Sequence, residues 1–513
     1  MGNTPSMPDI ASLQKVPSPA ADSTVFSMSF REHSQIFLIA CPGELIRKLE
    51  HTMLQYYPAG VRTTCAWAGA HAFALVGRPF GDKLTKTEAR QCLRLLTAVV
   101  AVIKADGWEF VTNVDLCYWR AQRTMLFRRA KYSRQNAEST FDRTICVNIR
   151  CSKGHKCKLD LINGTTDLAQ LVKESIGERD IAKTSLIGDS STDFTLNIDG
   201  KVWLAEETHL FGYKAAMRGR VILVELFRRL DAVGYDFLAS ATATGCGDTL
   251  FFQKALFFAS QVPPPLPIGT HQYGALGMNK SDRMRLIGLP VEIGQAAHDA
   301  VKANWPRGIQ SERPKHDADF NCDELKLDGT PWECREDAET KQARFLLLKV
   351  LEELSARGWM VECGINVTPW NTDDSTVLML KRADQHRRAH FCVHAMSTDQ
   401  LWVIGAQREV VECVRHVVKL WTDNTPTADD AKEGVCKDDL TNHTVAFKFT
   451  NSEPWTLDYW SESRQLVNQL VASLDRHGWK LAFSADCSVV TRRDHHGALE
   501  HKQEMDSMFF VKA

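Results

Sequence analysis

The sequence predicts an α+β protein built as four tandem units, and three landmarks that recur in one order carry that prediction. A phrase of small hydroxyl, apolar run, basic residue and closing Ala occurs at Thr124–Ala130, Thr249–Ala255, Thr376–Ala383 and Ser507–Ala513, with its Ala residues 125, 128 and 130 positions apart. A Gly-aromatic pair precedes each phrase, at Gly107-Trp108, Gly234-Tyr235, Gly358-Trp359 and Gly478-Trp479. Before those stand Pro79-Phe80, Val202-Trp203, Pro331-Trp332 and Pro454-Trp455. A period this long exceeds the roughly 20–50 residues of a solenoid repeat, so each unit is a folded domain.

The element between the last two landmarks is an amphipathic helix. Its inner face is apolar at i, i+3, i+4 and i+7 in every copy: Leu96, Val99, Val100, Ile103; Leu223, Leu226, Phe227, Leu230; Leu347, Val350, Leu351, Leu354; Val467, Leu470, Val471, Leu474. The Gly after each suits a left-handed helix end, since it has no Cβ to clash there, and the aromatic then opens a strand. Upstream come a strand pair (Val25 to Phe30 with Gln35 to Ala40; Ile145 to Ile149 with Lys158 to Ile162; His390 to His394 with Leu401 to Gly405; no clear pair in the third copy) and a first helix. That helix is expected around Glu44 to Gln55, Asp167 to Ser175, Glu292 to Ala303 and Glu409 to Leu420. The order is ββαβαββ, with two helices on one face of a mixed or antiparallel sheet and the other face solvated.

These marks divide the chain into an N-terminal segment 1–24 rich in Ser, Pro and Ala, repeat 1 (25–130), repeat 2 (143–255), a Pro-rich linker (256–271), repeat 3 (272–383) and repeat 4 (390–513). The linker, with Pro263, Pro264, Pro265 and Pro267, reads as a semi-rigid spacer between two pairs of repeats. Only seven residues, Asp384 to His390, join repeats 3 and 4, which are therefore expected to pack together. Fifteen cysteines without paired spacing suit a reducing compartment. No apolar stretch approaches the ~18 residues of a membrane span, and a net charge of −1 argues against a dedicated nucleic-acid protein.

Met1-Gly2-Asn3-Thr4-Pro5-Ser6 fits the pattern in which Met is removed and Gly2 receives myristate. One such chain binds a membrane only marginally, so a second contact is needed. Arg120, Arg123, Arg128, Arg129, Lys131 and Arg134, interleaved with aromatics and free of acidic neighbours, are the candidate patch for anionic lipids. A lesser cluster follows repeat 3 at Lys381, Arg382, His386, Arg387 and Arg388.

Cys146, Cys151, His155 and Cys157 supply the ligand types of a structural zinc site, but the repeat register places them on a hairpin that would have to bend to close a tetrahedron. Asp494, His495, His496 and His501 lie in an insertion peculiar to repeat 4 and read as a solvated loop. No nucleophile elbow, phosphate loop, zinc-protease helix or dinucleotide fingerprint is present, and neither a catalytic residue nor a cofactor is expected. The expected function is that of a non-enzymatic scaffold or adaptor on the cytosolic face of a membrane, with protein partners. The alternative is an enzyme or a small-ligand or lipid-binding protein with its site at a repeat interface.

Overall fold

The computed structural model of the chain describes residues 24–67, 69–81, 84–117, 123–130, 140–151, 157–177, 180–187, 190–199, 202–203, 212–242, 248–255, 272–312, 315–333, 337–366, 374–424, 438–439, 443–449, 452–487, 491–493, 499–501 and 505–513. Repeat 1 comprises β1 (Val25–Arg31), β2 (Gln35–Ile39), α1 (Gly43–Tyr56), β3 (Val61–Trp67), β4 (Ala70–Leu75), α2 (Lys86–Ala105), β5 (Trp108–Asp115) and β6 (Arg123–Arg129). Repeat 2 follows with β7 (Thr144–Cys151), β8 (Cys157–Ile162), α3 (Thr166–Ile176), β9 (Ile181–Leu186), β10 (Phe194–Ile198), α4 (Gly212–Ala232), β11 (Tyr235–Ala241) and β12 (Thr249–Lys254). Repeat 3 holds β13 (Tyr273–Asn279), β14 (Arg283–Ile287), α5 (Val291–Asn304), β15 (Lys315–Asp317), β16 (Cys322–Lys326), α6 (Asp337–Ala356), β17 (Trp359–Ile365) and β18 (Asp374–Arg382). Repeat 4 holds β19 (His390–Met396), β20 (Gln400–Ile404), α7 (Arg408–Asn424), β21 (Asp438–Asp439), β22 (Thr444–Lys448), α8 (Trp460–Arg476), β23 (Trp479–Ala485), the hairpin β24 (Thr491–Arg493) and β25 (Leu499–His501), and β26 (Ser507–Lys512).

The chain is α+β, with four antiparallel sheets of one topology, β3-β4-β2-β1-β6-β5 and its three equivalents. Each repeat reads ββαββαββ, one strand more than expected. The extra strand is the outer edge (β3, β9, β15, β21), and it lacks an apolar face to betray it: Arg62, Thr63 and Thr64 in β3 and Ala182 and Lys183 in β9 are exposed. The third copy's strand pair is β13 with β14, disguised by Gly274, Gly277, Arg283 and Arg285.

The recurring phrase is a set of joints. Its closing Ala donates its N–H to the carbonyl of the Gly in the Gly-aromatic pair in all four copies: Ala130 to Gly107 at 2.9 Å, Ala255 to Gly234 at 2.9 Å, Ala383 to Gly358 at 2.8 Å and Ala513 to Gly478 at 2.9 Å. Those glycines have φ of 85°, 81°, 78° and 77°, the left-handed conformation expected of them. The phrase's basic residue lies over the aromatic ring each time: Arg129 on Trp108, Lys254 on Tyr235, Arg382 on Trp359 and Lys512 on Trp479, 5.0–6.0 Å from the centroid.

The expectation of a solvated sheet face does not hold for the central strands. The second helix of each repeat packs on its own sheet and also on the sheet of the next repeat: α2 on β7, α4 on β13, α6 on β19 and α8 on β1. The helix is therefore apolar over more than one stripe, and α2 buries Leu93, Leu95, Val99 and Ile103 together with Cys92, Ala98 and Ala101. Central strands are covered on both faces, so β2 and β13 are buried along their whole length. Because α8 returns to repeat 1, the four repeats close into a ring. Repeats 2 and 3 are packed directly, with Arg228 of α4 donating to the carbonyls of Tyr273 and Gly288 at 2.7 Å. Repeats 2 and 3 thus touch one another, as repeats 3 and 4 do; the Pro-rich linker, 256–271, lies outside the described residues.

Candidate functional site

Ring closure brings the inner edge strands β5, β11, β17 and β23 together at the centre. Each carries a β-bulge at one equivalent place, before Thr112, Ala239, Cys363 and Phe483. A bulge twists an edge and ends its capacity to pair, which lets four edges meet without fusing into one sheet. Asn113 donates to Ser240 Oγ at 2.8 Å, Ser484 N–H donates to Thr112 Oγ1 at 2.9 Å, and Ser484 Oγ donates to the Asn113 carbonyl. Gly364 faces this centre, where a Cβ would lie 2.7 Å from the Ser484 carbonyl.

At one end of the hub, charged residues converge. Seven residues after the aromatic of each repeat stand Asp115, Thr242, Asn366 and Asp486, and just before the phrase's hydroxyl stand Arg123, Asp248 and Asp506. Asp506 donates its N–H to the Asp115 carbonyl, and the Asp115 N–H donates to Asp506 Oδ2, both at 2.9 Å. Asp248 and Asn366 repeat that exchange between repeats 2 and 3, at 3.1 and 2.7 Å. Between repeats 3 and 4, Asp486 N–H donates to Thr376 Oγ1 at 2.9 Å. Arg123 lies 3.8 Å from Asp248 with its side chain only 10% exposed. Burial alone would lower its pKa, but Asp248, Asp506, Asp115 and Asp486 outweigh that and raise it, so the guanidinium stays charged. Asp506 is driven the other way, burial raising its carboxyl above the usual range despite Arg123. Among the described residues, the Asp248 and Asp506 carboxylates are each engaged by backbone N–H groups of a neighbouring repeat. Among the described residues, no group of three or more His, Cys, Asp or Glu could hold a metal ion.

Buried arginines link the hub to the ring's junctions. Arg220, Arg344 and Arg464 occupy one equivalent helix position in repeats 2, 3 and 4, each at most 1% exposed. Arg464 Nε donates to Thr124 Oγ1 at 3.0 Å, and Arg344 Nε to Ser507 Oγ at 3.4 Å; these acceptors are the hydroxyls that open the recurring phrase. Arg220 Nε lies against Gly277 of β13. Burial lowers the Arg464 pKa to about 9. In repeat 1 the same position is Leu93.

The structure redistributes the residues singled out from the sequence. Gly2, Arg120, Lys131, Arg134 and His155 lie outside the described residues. Of the basic patch, Arg123 belongs to the hub. Arg128 sits 3.6 Å from Asp475 and 3.8 Å from Glu109, and Arg129 is 3.5 Å from Asp106. These three do not form a surface patch, because folding supplies each with acidic neighbours that are distant in sequence. In the lesser cluster, Lys381 pairs with Asp231 at 3.2 Å, Arg382 stacks on Trp359 and Arg387 pairs with Glu353. The zinc grouping is also divided. Cys146 pairs in register with Ile162 and Cys151 with Cys157, and an odd separation puts position 146 on the opposite sheet face from 151. Cys146 lies with Cys92 in the core of repeat 1, and Cys157 with Leu159 in that of repeat 2. His501 falls in β25, while Asp494, His495 and His496 lie outside the described residues.

The sequence reading missed Arg220, Arg344 and Arg464 and the hub carboxylates. Aligning the four helices would have shown a basic residue three positions before the apolar face in three copies. Another concave feature is a groove of 420 Å³ between α5, α6 and the connection to repeat 4, lined by Lys349, Glu352, Glu353, Arg357 and Arg387. Its charges are paired among themselves, Arg357 with Glu353 at 2.5 Å and Lys349 with Glu352 at 2.9 Å. No described helix is long and apolar enough to cross a membrane.

In comparisons with known proteins, the profile of a domain family with no function attached matches residues 24–128, 272–380 and 389–511, that is, repeats 1, 3 and 4. No curated protein and no solved structure matches the chain.

Proposed function

The chain belongs to this repeated-domain family, and on that premise we propose that it is a non-enzymatic ring scaffold, held at the cytosolic face of a membrane by an acyl group on Gly2 and offering its rim to protein partners. The observation that carries the reading is the state of the hub. The Asp506 and Asp248 carboxylates accept from backbone N–H groups of the adjoining repeat and Arg123 lies among the hub's carboxylates, which is the chemistry of a joint. A catalytic centre instead keeps an acid, base or nucleophile within reach of a substrate.

The electrostatic part of the membrane contact rests on Arg120, Lys131 and Arg134, since Arg123, Arg128 and Arg129 are engaged within the fold. One acyl chain gives an association constant of only about 10⁴ M⁻¹, so both contacts are required. Fractionation at two ionic strengths, with mass spectrometry of the N-terminal peptide, tests this. The expected outcome is a myristoylated Gly2, release of Gly2→Ala into the soluble fraction, and partial release of the wild type by salt. An unmodified Gly2, or membrane recovery indifferent to Gly2→Ala, removes the membrane half and leaves a ring that binds proteins. Proximity labelling of wild type beside Gly2→Ala then identifies the partners that depend on the anchor.

A further inference from the structure

The outer edges of the four sheets are finished unequally. Two are short, β15 with 3 residues and β21 with 2, and β9 with 6 residues carries the exposed Lys183 at mid-strand. Brief edges and lysines are common defences of an unpaired strand against a visiting one. β3 is the longest, with 7 residues, and its bulge lies between Val61 and Thr63, so Thr63 to Trp67 run in regular register with β4 and without Lys or Pro. Among the described residues no strand pairs with its other side. Thr64 and Ala66 stand opposite Phe73 and His71 and share the sheet face that α1 covers. Burial lowers the pKa of His71 and the Glu50 carboxylate opposes that, so the Glu50 side of α1 overlooks these outer strands. Leu54 follows Glu50 by one turn and is 59% exposed. Arg47 lies on the exposed face of α1, Arg62 at the start of β3 and Arg78 just beyond the adjoining end of β4; all three are exposed, and none pairs with an acidic group of the described residues.

We propose that the outer edge of β3 is the docking site of an extended acidic segment of a protein partner, which adds to the sheet of repeat 1 as one more strand. This rests on the scaffold reading and names the part of the rim and the class of partner. The main chain of the segment pairs with the outward N–H and C=O groups between Thr63 and Trp67, the mode of β-strand addition. Its alternate residues fall on the face that α1 covers, where apolar side chains beside Thr64 and Ala66 come under Leu54. Its acidic residues meet Arg62 and Arg78 at one end of the edge and Arg47 on the helix. A second copy of the chain offers no such match, because its own β3 brings Arg62 rather than a carboxylate.

The test pans a phage library of random peptides on the full chain, produced without acylation, and takes synthetic copies of the enriched peptides into fluorescence anisotropy and hydrogen exchange. The expected peptides alternate apolar residues and carry Asp or Glu. Their binding should slow amide exchange in 61–67, weaken with salt, and fall about tenfold in Leu54→Asp and in Arg62→Glu. A peptide with Lys in place of its acidic residue should recover binding to Arg62→Glu, and Lys183→Glu on β9 should bind the original peptide as the wild type does. All three substituted positions are exposed, and thermal melting checks that the variants fold. No enriched peptide, enriched peptides without acidic residues, protection of a segment other than β3, affinity unchanged in Leu54→Asp and Arg62→Glu, or a dimer in which β3 is the protected strand would each overturn the proposal. Partners recovered by proximity labelling while β3 takes up no acidic peptide strike this site alone, whereas labelling that recovers no partner strikes the scaffold reading itself.

Discussion

The junction between repeats 1 and 2 and the junction between repeats 4 and 1 are built on one plan and filled differently. In the second, α8 lays Arg464 on the sheet of repeat 1, with its guanidinium bonded to Thr124 Oγ1, Ser463 Oγ and the Trp460 carbonyl and stacked 4.6 Å over the Trp460 ring. In the first, α2 presents Leu93 at the same place, and the charge moves to the rim. Arg90 and Arg94, with side chains 25% and 30% exposed, close on the fully buried Asp193 carboxylate of repeat 2. One helix-on-sheet geometry thus accepts either an apolar contact with a peripheral ionic latch or a buried cation satisfied by hydroxyls and carbonyls. Area burial favours the first, since a buried cation costs several kcal/mol before its hydrogen bonds offset that. The polar version instead ties α6 and α8 each to one hydroxyl in one register, which suits a ring whose repeats must not exchange places.

Substitutions that swap the two solutions test the comparison most severely. Leu93→Arg should cost about 4 kcal/mol, because it forces a bulkier cation into an apolar contact where the equivalent hydroxyl, Thr249, already bonds Asn148. A chemical-denaturation midpoint equal to wild type would show that the site is wetter than its burial implies. Arg464→Ala should cost about 3 kcal/mol, combining a cavity with acceptors stripped of their donor. Arg464→Leu, which imitates the repeat 1 junction, should recover most of that loss, and a leucine variant as unstable as the alanine one would mean that the polar bonds, not the volume, hold the junction.

The rim latch predicts a smaller effect. Asp193→Asn should cost about 2 kcal/mol, given a buried acceptor with partly exposed partners. Burial would raise the Asp193 carboxyl, but the Asn163 amide and Arg90 and Arg94 prevail and hold it below the usual range. Its contribution is therefore present at neutral pH and lost as pH falls through the acid range, and the variant should flatten that part of the stability curve. At the junction of repeats 3 and 4, His394 is hydrogen-bonded to Ser507 at 3.1 Å, and burial, aided by Arg344, holds its pKa well below the ordinary value. Protons then bind the unfolded chain preferentially. Through His394 alone stability should fall by about 1.4 kcal/mol per pH unit below about pH 6, and His394→Asn should remove that contribution from the slope.

Much of the architecture was legible because its signals are local. Gly107, Gly234, Gly358 and Gly478 announce a conformation that only a residue without Cβ adopts freely, and the four inner helix faces announce themselves at a period of 3.6. The outer strands β3, β9, β15 and β21 were not legible, since an exposed edge has no apolar face to alternate. The hub was equally hidden. Asp115 and Asp506 are 391 positions apart in sequence, and nothing near either one shows that each receives the other's hydrogen bond. Arg123, Arg128 and Arg129 misled for the same reason, as a run without local acidic residues looked uncompensated until folding brought Asp248, Asp475 and Asp106 to it.

By itself the sequence determined the repeat, the α+β class, both helices of each unit and the phrase that seals strand to helix, because these depend on contacts within a few turns of chain. Tertiary structure alone decided that the repeats close into a ring, that the second helix of each repeat serves two sheets, and that charged residues become joints. Those outcomes depend on which surfaces meet, and a sequence records the composition of a surface without recording what will cover it.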